Sequence, residues 1–278
     1  MTDQPDPINP DIPNVARIWD YQLGGKDNYQ ADRDAAEQLN KMCLEVGAPD
    51  GRMVAGENRA FLQRAVHHLA TQAHIDQFLD LGSGLPTRHN VHEVAQQANP
   101  HARTVYVDYD PLVLAYGRAL LADGRTTVIT GDVREPETIL HNKELRGLLD
   151  LQRPVAVLLV AMLHLIPDDG EAEAIVARIR EALPPGSYLV LTHTTSEHRP
   201  EAAVALAAEF ERLKVTTPLV PRTFHQIRRF FDGFDLLEPG LVSPPRWRPH
   251  TPVAPKDDSR WMYAGVGRIS PAGGGARQ

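Results

Sequence analysis

After about residue 73 the chain alternates short apolar runs with stretches of helical periodicity. This alternation constrains its fold more than any other feature. The apolar runs fall at 75–81, 104–108, 126–130, 154–161 and 187–192, and helical patterns fill 88–98, 111–122, 137–149 and 170–183 between them. Strands that alternate with helices pair in parallel, because a parallel strand needs a long crossover and a helix is the usual one. The run Val155-Ala-Val-Leu-Leu-Val160 shows no polar alternation, as expected of a strand covered on both faces. Local chemistry agrees with these borders. Asp110-Pro111 combines an N-cap with proline at the first helical position. Pro184-Pro185-Gly186 stops a helix, and Thr223-x-x-Gln226 has the form of a capping box. Two late strands are expected at 235–242 and 261–269, joined by a proline-rich loop over 243–255. The pattern predicts an α/β sheet domain over residues 73–270.

The first 70 residues read differently. Val15, Ile18 and Trp19 share one helical face that ends at Gly24-Gly25. Ala35, Ala36, Leu39 and Met42 mark a second helix over 32–46. Phe61, Leu62, Ala65, Val66 and Leu69 mark a third over 56–71. Residues 14–72 are therefore expected to form a helical N-terminal cover or lid. Residues 1–13, acidic and proline-rich, are expected to be a flexible arm, and 271–278 a disordered tail. The start lacks the basic and apolar stretches of a signal peptide. The longest strongly apolar run is about half of the roughly 20 residues that span a bilayer. A soluble, cytoplasmic protein with no membrane partner is expected. With 29 Lys+Arg against 36 Asp+Glu the net charge is −7, so no basic excess drives nucleic-acid binding. The lone cysteine, Cys43, can form neither an internal disulfide nor a thiolate cluster. It reads as a small apolar residue on a helix, and no metal site is expected.

The chemistry concentrates at strand ends. In Gln77-Phe-Leu-Asp-Leu-Gly-Ser-Gly-Leu-Pro-Thr87 a strand ends beside an acid, turns through Gly-x-Gly and leads to a helix opened by Thr87. In an open parallel sheet, ligands bind at the carboxyl ends of the strands, where strand order reverses. Glycines there let the backbone turn and let a ligand approach it. The next strand ends at Asp108, placed to accept both hydroxyls of a ribose. The third ends Thr130-Gly-Asp132-Val133, where an acid can reach the exocyclic amine of an adenine beside Val133. Acids at three successive strand ends point to an adenosine site. A dinucleotide motif would carry glycine where Thr87 stands, and no Walker loop is present because Asp27 follows Gly25-Lys26. Asp80 would repel a phosphate but suits an ammonium or a sulfonium, which favours S-adenosylmethionine.

Taken together, Ala16-Arg-Ile-Trp-Asp-Tyr-Gln-Leu-Gly-Gly-Lys-Asp-Asn28, Glu57-Asn-Arg-Ala-Phe61, the Gln77–Thr87 stretch, Val105-Tyr-Val-Asp-Tyr-Asp-Pro111 and Leu163-His164 resemble the bacterial S-adenosyl methyltransferase family, formerly a domain of unknown function. The resemblance runs from Asn14 to the last strand. It implies a class I, Rossmann-like methyltransferase fold, with a seven-stranded, mostly parallel sheet, its last strand antiparallel and helices on both faces. It also implies cofactor contacts at Asp80, Gly82, Ser83, Gly84, Asp108, Tyr109, Asp132 and Val133. The exit of the fourth strand, Ala161-Met-Leu-His164, lies beside the transferable methyl group in this architecture. Ala161 is thus a further cofactor contact, and His164 a general base or a group that orients the acceptor. The segment Asp20-Tyr-Gln-Leu-Gly-Gly-Lys-Asp-Asn-Tyr29 is expected to form a lid with Tyr21 facing the methyl. His193 and His198 are expected to flank the fifth strand's exit in a solvated loop. The function that follows is methyl transfer from S-adenosylmethionine to a small-molecule acceptor. Its rivals are a non-catalytic binder of S-adenosylmethionine or S-adenosylhomocysteine with a regulatory role, and an NAD-dependent oxidoreductase.

Overall fold

The structure, a computed structural model, describes residues 8–86, 89–120 and 124–270. The first seven residues of the expected arm, Thr87 and the expected tail from Pro271 lie outside the described residues. Three helices come first: α1 (Val15–Gln22), α2 (Gln30–Glu45) and α3 (Gly51–Thr71). The sheet region follows as β1 (Gln77–Leu81), α4 (Val91–Ala98), β2 (Arg103–Asp108), α5 (Pro111–Leu120), β3 (Thr126–Thr130), α6 (Pro136–Leu140), α7 (Lys143–Leu148), β4 (Ala156–Val160), α8 (Asp169–Ala182) and β5 (Tyr188–Thr194). The chain then adds α9 (Pro200–Arg212), α10 (Phe224–Arg229), β6 (Phe234–Leu236) and β7 (Met262–Ile269). Among the described residues no helix is long and apolar enough to cross a membrane.

The seven strands form one sheet in the order β3-β2-β1-β4-β5-β7-β6. β7 runs antiparallel to both its neighbours, and the remaining pairs are parallel. This is the Rossmann-like class I methyltransferase arrangement expected from the resemblance. Strand order reverses between β1 and β4, which opens a crevice at their carboxyl ends. Alternate residues feed the two faces. Leu79, Val105, Val107 and Ile129 pack with Leu145, Ile175 and Phe231 on one side. Phe78, Tyr106, Val128 and Leu158 pack with Phe61, Leu69 and Trp247 on the other. A third cluster joins Ile18, Ala36, Leu39 and Val54 of α1–α3 to Ala203 and Leu206 of α9 and to Trp261.

The helix pair α1–α2 is clasped by one buried carboxylate. Asp32 accepts from Asn14 N (2.9 Å), Tyr29 N (2.8 Å) and Arg17 Nε (2.7 Å). Arg17 in turn donates to the carbonyl oxygens of Ile12 (2.7 Å) and Asn9 (3.3 Å). Pro13 O accepts from Thr216 N at 3.1 Å, bridging the N-terminal segment to the loop after α9.

Several borders differ from the sequence expectation. The helix expected over 137–149 is two, because Asn142 caps a new start by accepting from Glu144 N and Leu145 N. The strand expected over 235–242 shortens to β6, since Pro239 has no N–H to donate, and Val242 returns only as an isolated bridge to Ala264. The helix expected to open at Thr87 begins instead at Val91, behind Asn90, whose N–H donates to Glu93 Oε2 at 2.8 Å. α9, for which no helix was expected, starts with Pro200 at its first turn and buries Ala202, Ala203 and Leu206.

Candidate active site

The turn after β1 is tied to β2 by its backbone. Gly82 N and Ser83 N both donate to Val107 O, at 2.8 and 3.2 Å. Gly82 has φ +71°, and a Cβ there would stand 2.3 Å from the Met162 sulfur. Gly84 has φ +64°, and nothing lies within 4 Å of where its Cβ would be. That room belongs to the crevice. Gly84 N donates to Asp108 Oδ2 and Asp110 N to Asp108 Oδ1, each at 2.9 Å. Burial pushes the Asp108 carboxyl up to about 6, against the pull of these backbone N–H groups. Each of its oxygens keeps a free acceptor position, so the pair can take two hydroxyls.

Two cavities meet at this turn. One, of about 1260 Å³ counted out to its mouth, lies over the ends of β1–β3 between Asp108, Tyr109, Asp132 and Val133, with Asn14 and Thr216–Pro218 opposite. The other, of about 1270 Å³ on the same count, lies between α1–α3, α9 and the exits of β4 and β5. Trp19, Asn58, His164, Phe210 and Trp261 line it. Gly82, Gly84, Ala161 and Leu165 belong to both walls.

Asp80 and Arg59 face the second cavity from the glycine turn. Burial pushes the Asp80 carboxyl up to about 7; Arg59 draws it down and Asp108 raises it. Burial also lowers the Arg59 guanidinium, against the pull of Asp80. Among the described residues neither group has a hydrogen-bond partner. A carboxyl and a guanidinium, both desolvated, thus line the same cavity and feel each other's charge.

At the exit of β4, Ala161 adopts φ +57°, a left-handed conformation that a residue with a Cβ seldom takes. Its N–H donates to Thr192 Oγ1 (2.8 Å), whose hydroxyl donates to Asn58 Oδ1 (2.7 Å). His164 sits in the 3-10 turn Leu163–Leu165 and is 4% exposed. Its Nδ1 accepts from Thr194 N at 3.4 Å. Burial and then the charge of Arg222 lower His164 to about 3, so its ring is neutral. Arg222 is itself buried and holds that turn from behind. It donates to Leu163 O (3.0 Å), Ile166 O (2.8 Å) and Asp169 Oδ1 (2.7 Å), and its Nη1 stands 3.0 Å from His193 Nε2.

The structure brings Asp80, Gly82, Ser83, Gly84, Asp108, Tyr109, Asp132, Val133, Ala161 and His164 to the two cavities. Asp132 arrives with its carboxylate forked by Arg134. Tyr21 corrects the expectation that it faces the methyl. Its hydroxyl donates to Glu37 Oε1 at 2.6 Å, and its ring lies under Arg52 on the outer side of α1. The glycine segment after it closes on Asp20 instead of forming a lid. Gly25 N donates to Asp20 O, and Asp27 N and Asn28 Nδ2 donate to Asp20 Oδ2. A Cβ on Gly25 would stand 1.9 Å from Asp20 Oδ1, which is why glycine is required. The wall over the cavity comes from the body of α1, through Ile18, Trp19 and Gln22. His193 is a second correction. β5 extends through Thr194, so His193 is buried inside the strand on the face opposite Thr192 and Thr194, while His198 is exposed beside Tyr263. Asn58, Arg59 and Arg222 were not anticipated. The available signal was a polar pair, Asn58-Arg59, on the inward side of an otherwise apolar helix face.

Several known proteins share this architecture. A protein from Thermobifida fusca that carries the provisional name methyltransferase is 44% identical, with a TM-score of 0.87 over 94% of this chain and 96% of its own. A DUF574 family protein from Streptomyces avermitilis is 39% identical, with a TM-score of 0.86 over 94% and 98%. An O-methyltransferase family protein from Burkholderia thailandensis, 14% identical with a TM-score of 0.51 over 82% and 62%, shares the fold alone. No curated protein matches the chain. Residues 1–270 match the S-adenosyl methyltransferase family. The chain belongs to that family, and is an S-adenosylmethionine-dependent methyltransferase.

Proposed function

We propose that the first cavity holds the adenosine of S-adenosylmethionine, and that the second takes its amino-acid end at Asp80 and Arg59 and, beyond it, a small-molecule methyl acceptor. The family assignment sets aside the nicotinamide alternative. The observation that carries the reading is the shared wall: Gly82, Gly84 and Ala161 border both cavities, so a methyl group leaving one emerges in the other. The residues fit the cofactor. Asp108 has acceptor positions left for both ribose hydroxyls, and Tyr109, Asp132 and Val133 surround the adenine position. The missing Cβ of Gly84 leaves open room for the ligand. Asp80 and Arg59 form an acid–base pair suited to the zwitterionic amino-acid end, the carboxylate facing its ammonium and the guanidinium its carboxylate.

Bound S-adenosylmethionine supplies an electrophilic methyl on a good leaving group. The protein's work is then to align the acceptor and exclude water. α1–α3 and α9 do the excluding. His164, neutral and weakly basic, orients the acceptor and does not take its proton. The test is calorimetry with S-adenosylmethionine and S-adenosylhomocysteine. Asp108→Ala should weaken both at least about 100-fold, since it removes two charge-assisted hydrogen bonds. A near-wild-type Kd for that variant would remove the ribose assignment.

A further inference from the structure

Building on that reading, we infer that the acceptor is a largely apolar small molecule with one acidic O–H group, bound as its oxyanion and methylated on that oxygen. The acceptor cavity is walled by Ile18, Trp19, Leu39, Val54, Phe210 and Trp261. Several of its polar groups are already satisfied by one another. Gln22 Nε2 donates to Asn40 Oδ1 (2.9 Å), Asn40 Nδ2 donates to Gln22 Oε1 (3.2 Å), and Gly51 N completes Asn40 Oδ1 (3.0 Å). Asp20 Oδ2 is occupied by Asp27 N and Asn28 Nδ2. These groups make few demands on a ligand.

Two donors remain. Thr192 Oγ1 accepts from Ala161 N, so its hydrogen goes to Asn58 Oδ1. That fixes the amide and leaves Asn58 Nδ2 as an N–H donor without a protein partner among the described residues. Thr194 N donates to His164 Nδ1, which leaves the ring proton on Nε2, likewise without a partner among them. Asn58 is 3% exposed and His164 4%, and both line the cavity. Thr192 and Thr194 are two residues apart on β5, so their side chains share a face, and Thr194 Oγ1 also stands 3.4 Å from His164 Nδ1. Their partners therefore stand side by side at Ala161, where the cavities join.

Two N–H donors call for an atom that accepts hydrogen bonds and still attacks carbon. An amine nitrogen has one lone pair, which bond formation consumes. An oxyanion has three, enough to accept both N–H groups and form the new bond. Its lone pair makes the C–O bond as the C–S bond breaks, and that electron pair stays on sulfur as a neutral thioether. The acceptor's proton has already gone to bulk water, so no base is needed. The charges around the oxygen agree. Arg222 stands behind His164, whose ring it influences, while Asp80 and Arg59 offset each other at the cofactor end. Asp20 lies on the α1 wall with its Oδ2 turned to its own loop.

The test uses 4-nitrophenol, whose phenolate absorbs visible light, titrated with the full chain from pH 5 to 9, with and without S-adenosylhomocysteine. The bound phenol's pKa should fall by at least about one unit. Asn58→Leu and His164→Phe should each return most of that shift. An unshifted or raised pKa overturns the inference, as does failure of nitrophenol to bind at millimolar concentration. The wild-type shift decides the matter even if a variant does not fold. Displacement of nitrophenol by 2-naphthol, 2-naphthoic acid and 2-naphthylamine then separates a phenol source from a carboxylate. Equal displacement by the amine also overturns the inference. Loss of S-adenosylhomocysteine binding, with the phenol shift retained, counts against the cofactor reading alone.

Discussion

Asp80 offers a quantitative test, because its carboxyl is buried, unpaired and held up to about 7 from an ordinary 3.8. In the unfolded chain it ionises near pH 4, whereas in the folded chain it keeps its proton to near pH 7. The stability this lends is fully present below the unfolded value and is lost as pH rises through about 7. At about 1.4 kcal/mol per pKa unit, the folded protein without cofactor gives up about 4 kcal/mol between pH 4 and pH 8. Asp80→Asn removes the ionisation. The pull of Arg59 is already contained in the value of about 7, so about 4 kcal/mol is recovered at pH 8. For a chain of this size that is a rise in Tm of roughly 8–16 °C without ligand. The gain should shrink as pH falls from 8 to 5. The same variant should bind S-adenosylmethionine about 10–100-fold more weakly at pH 8, because a cationic ligand favours the ionised carboxylate. Thermal denaturation at several pH values and calorimetry at pH 8 read both effects. A lower Tm for the variant at pH 8, or an unchanged Kd, would refute the reasoning.

Two further substitutions probe the supports of the site. Arg17→Ala leaves the fully buried Asp32 without its cation, and should cost about 3 kcal/mol; a denaturation midpoint equal to wild type would show that the clasp between α1 and α2 is not needed. Arg222→Lys keeps the charge but loses the fork that reaches Leu163 O and Ile166 O. It should shrink the nitrophenol shift while S-adenosylhomocysteine affinity stays within about twofold, and equal loss of both would mark Arg222 as generally structural.

What could be read from the chain was what is encoded locally. β1 to β5 appear as apolar runs because both of their faces are buried, and Asp80, Gly82, Gly84 and Asp108 stand at their exits by simple succession. β6 was overread because Pro239 interrupts its pairing, and α9 was missed although Ala202, Ala203 and Leu206 mark its inner face. Asn58 was illegible as a site residue because what orients it, Thr192, lies 134 residues away. Arg59 gains meaning only when α3 is laid beside the end of β1. Tyr21 sits in a motif dense with polar groups, yet those groups serve Asp20. A motif's density shows that its residues are constrained, and not by what.

The bridge from Pro13 O to Thr216 N has a practical side. It joins the N-terminal segment to the loop that faces Asp108 across the adenosine cavity. Trimming or substituting residues 8–13 therefore removes that bridge and loosens the wall opposite Asp108, so it is no neutral change where cofactor on- and off-rates are compared.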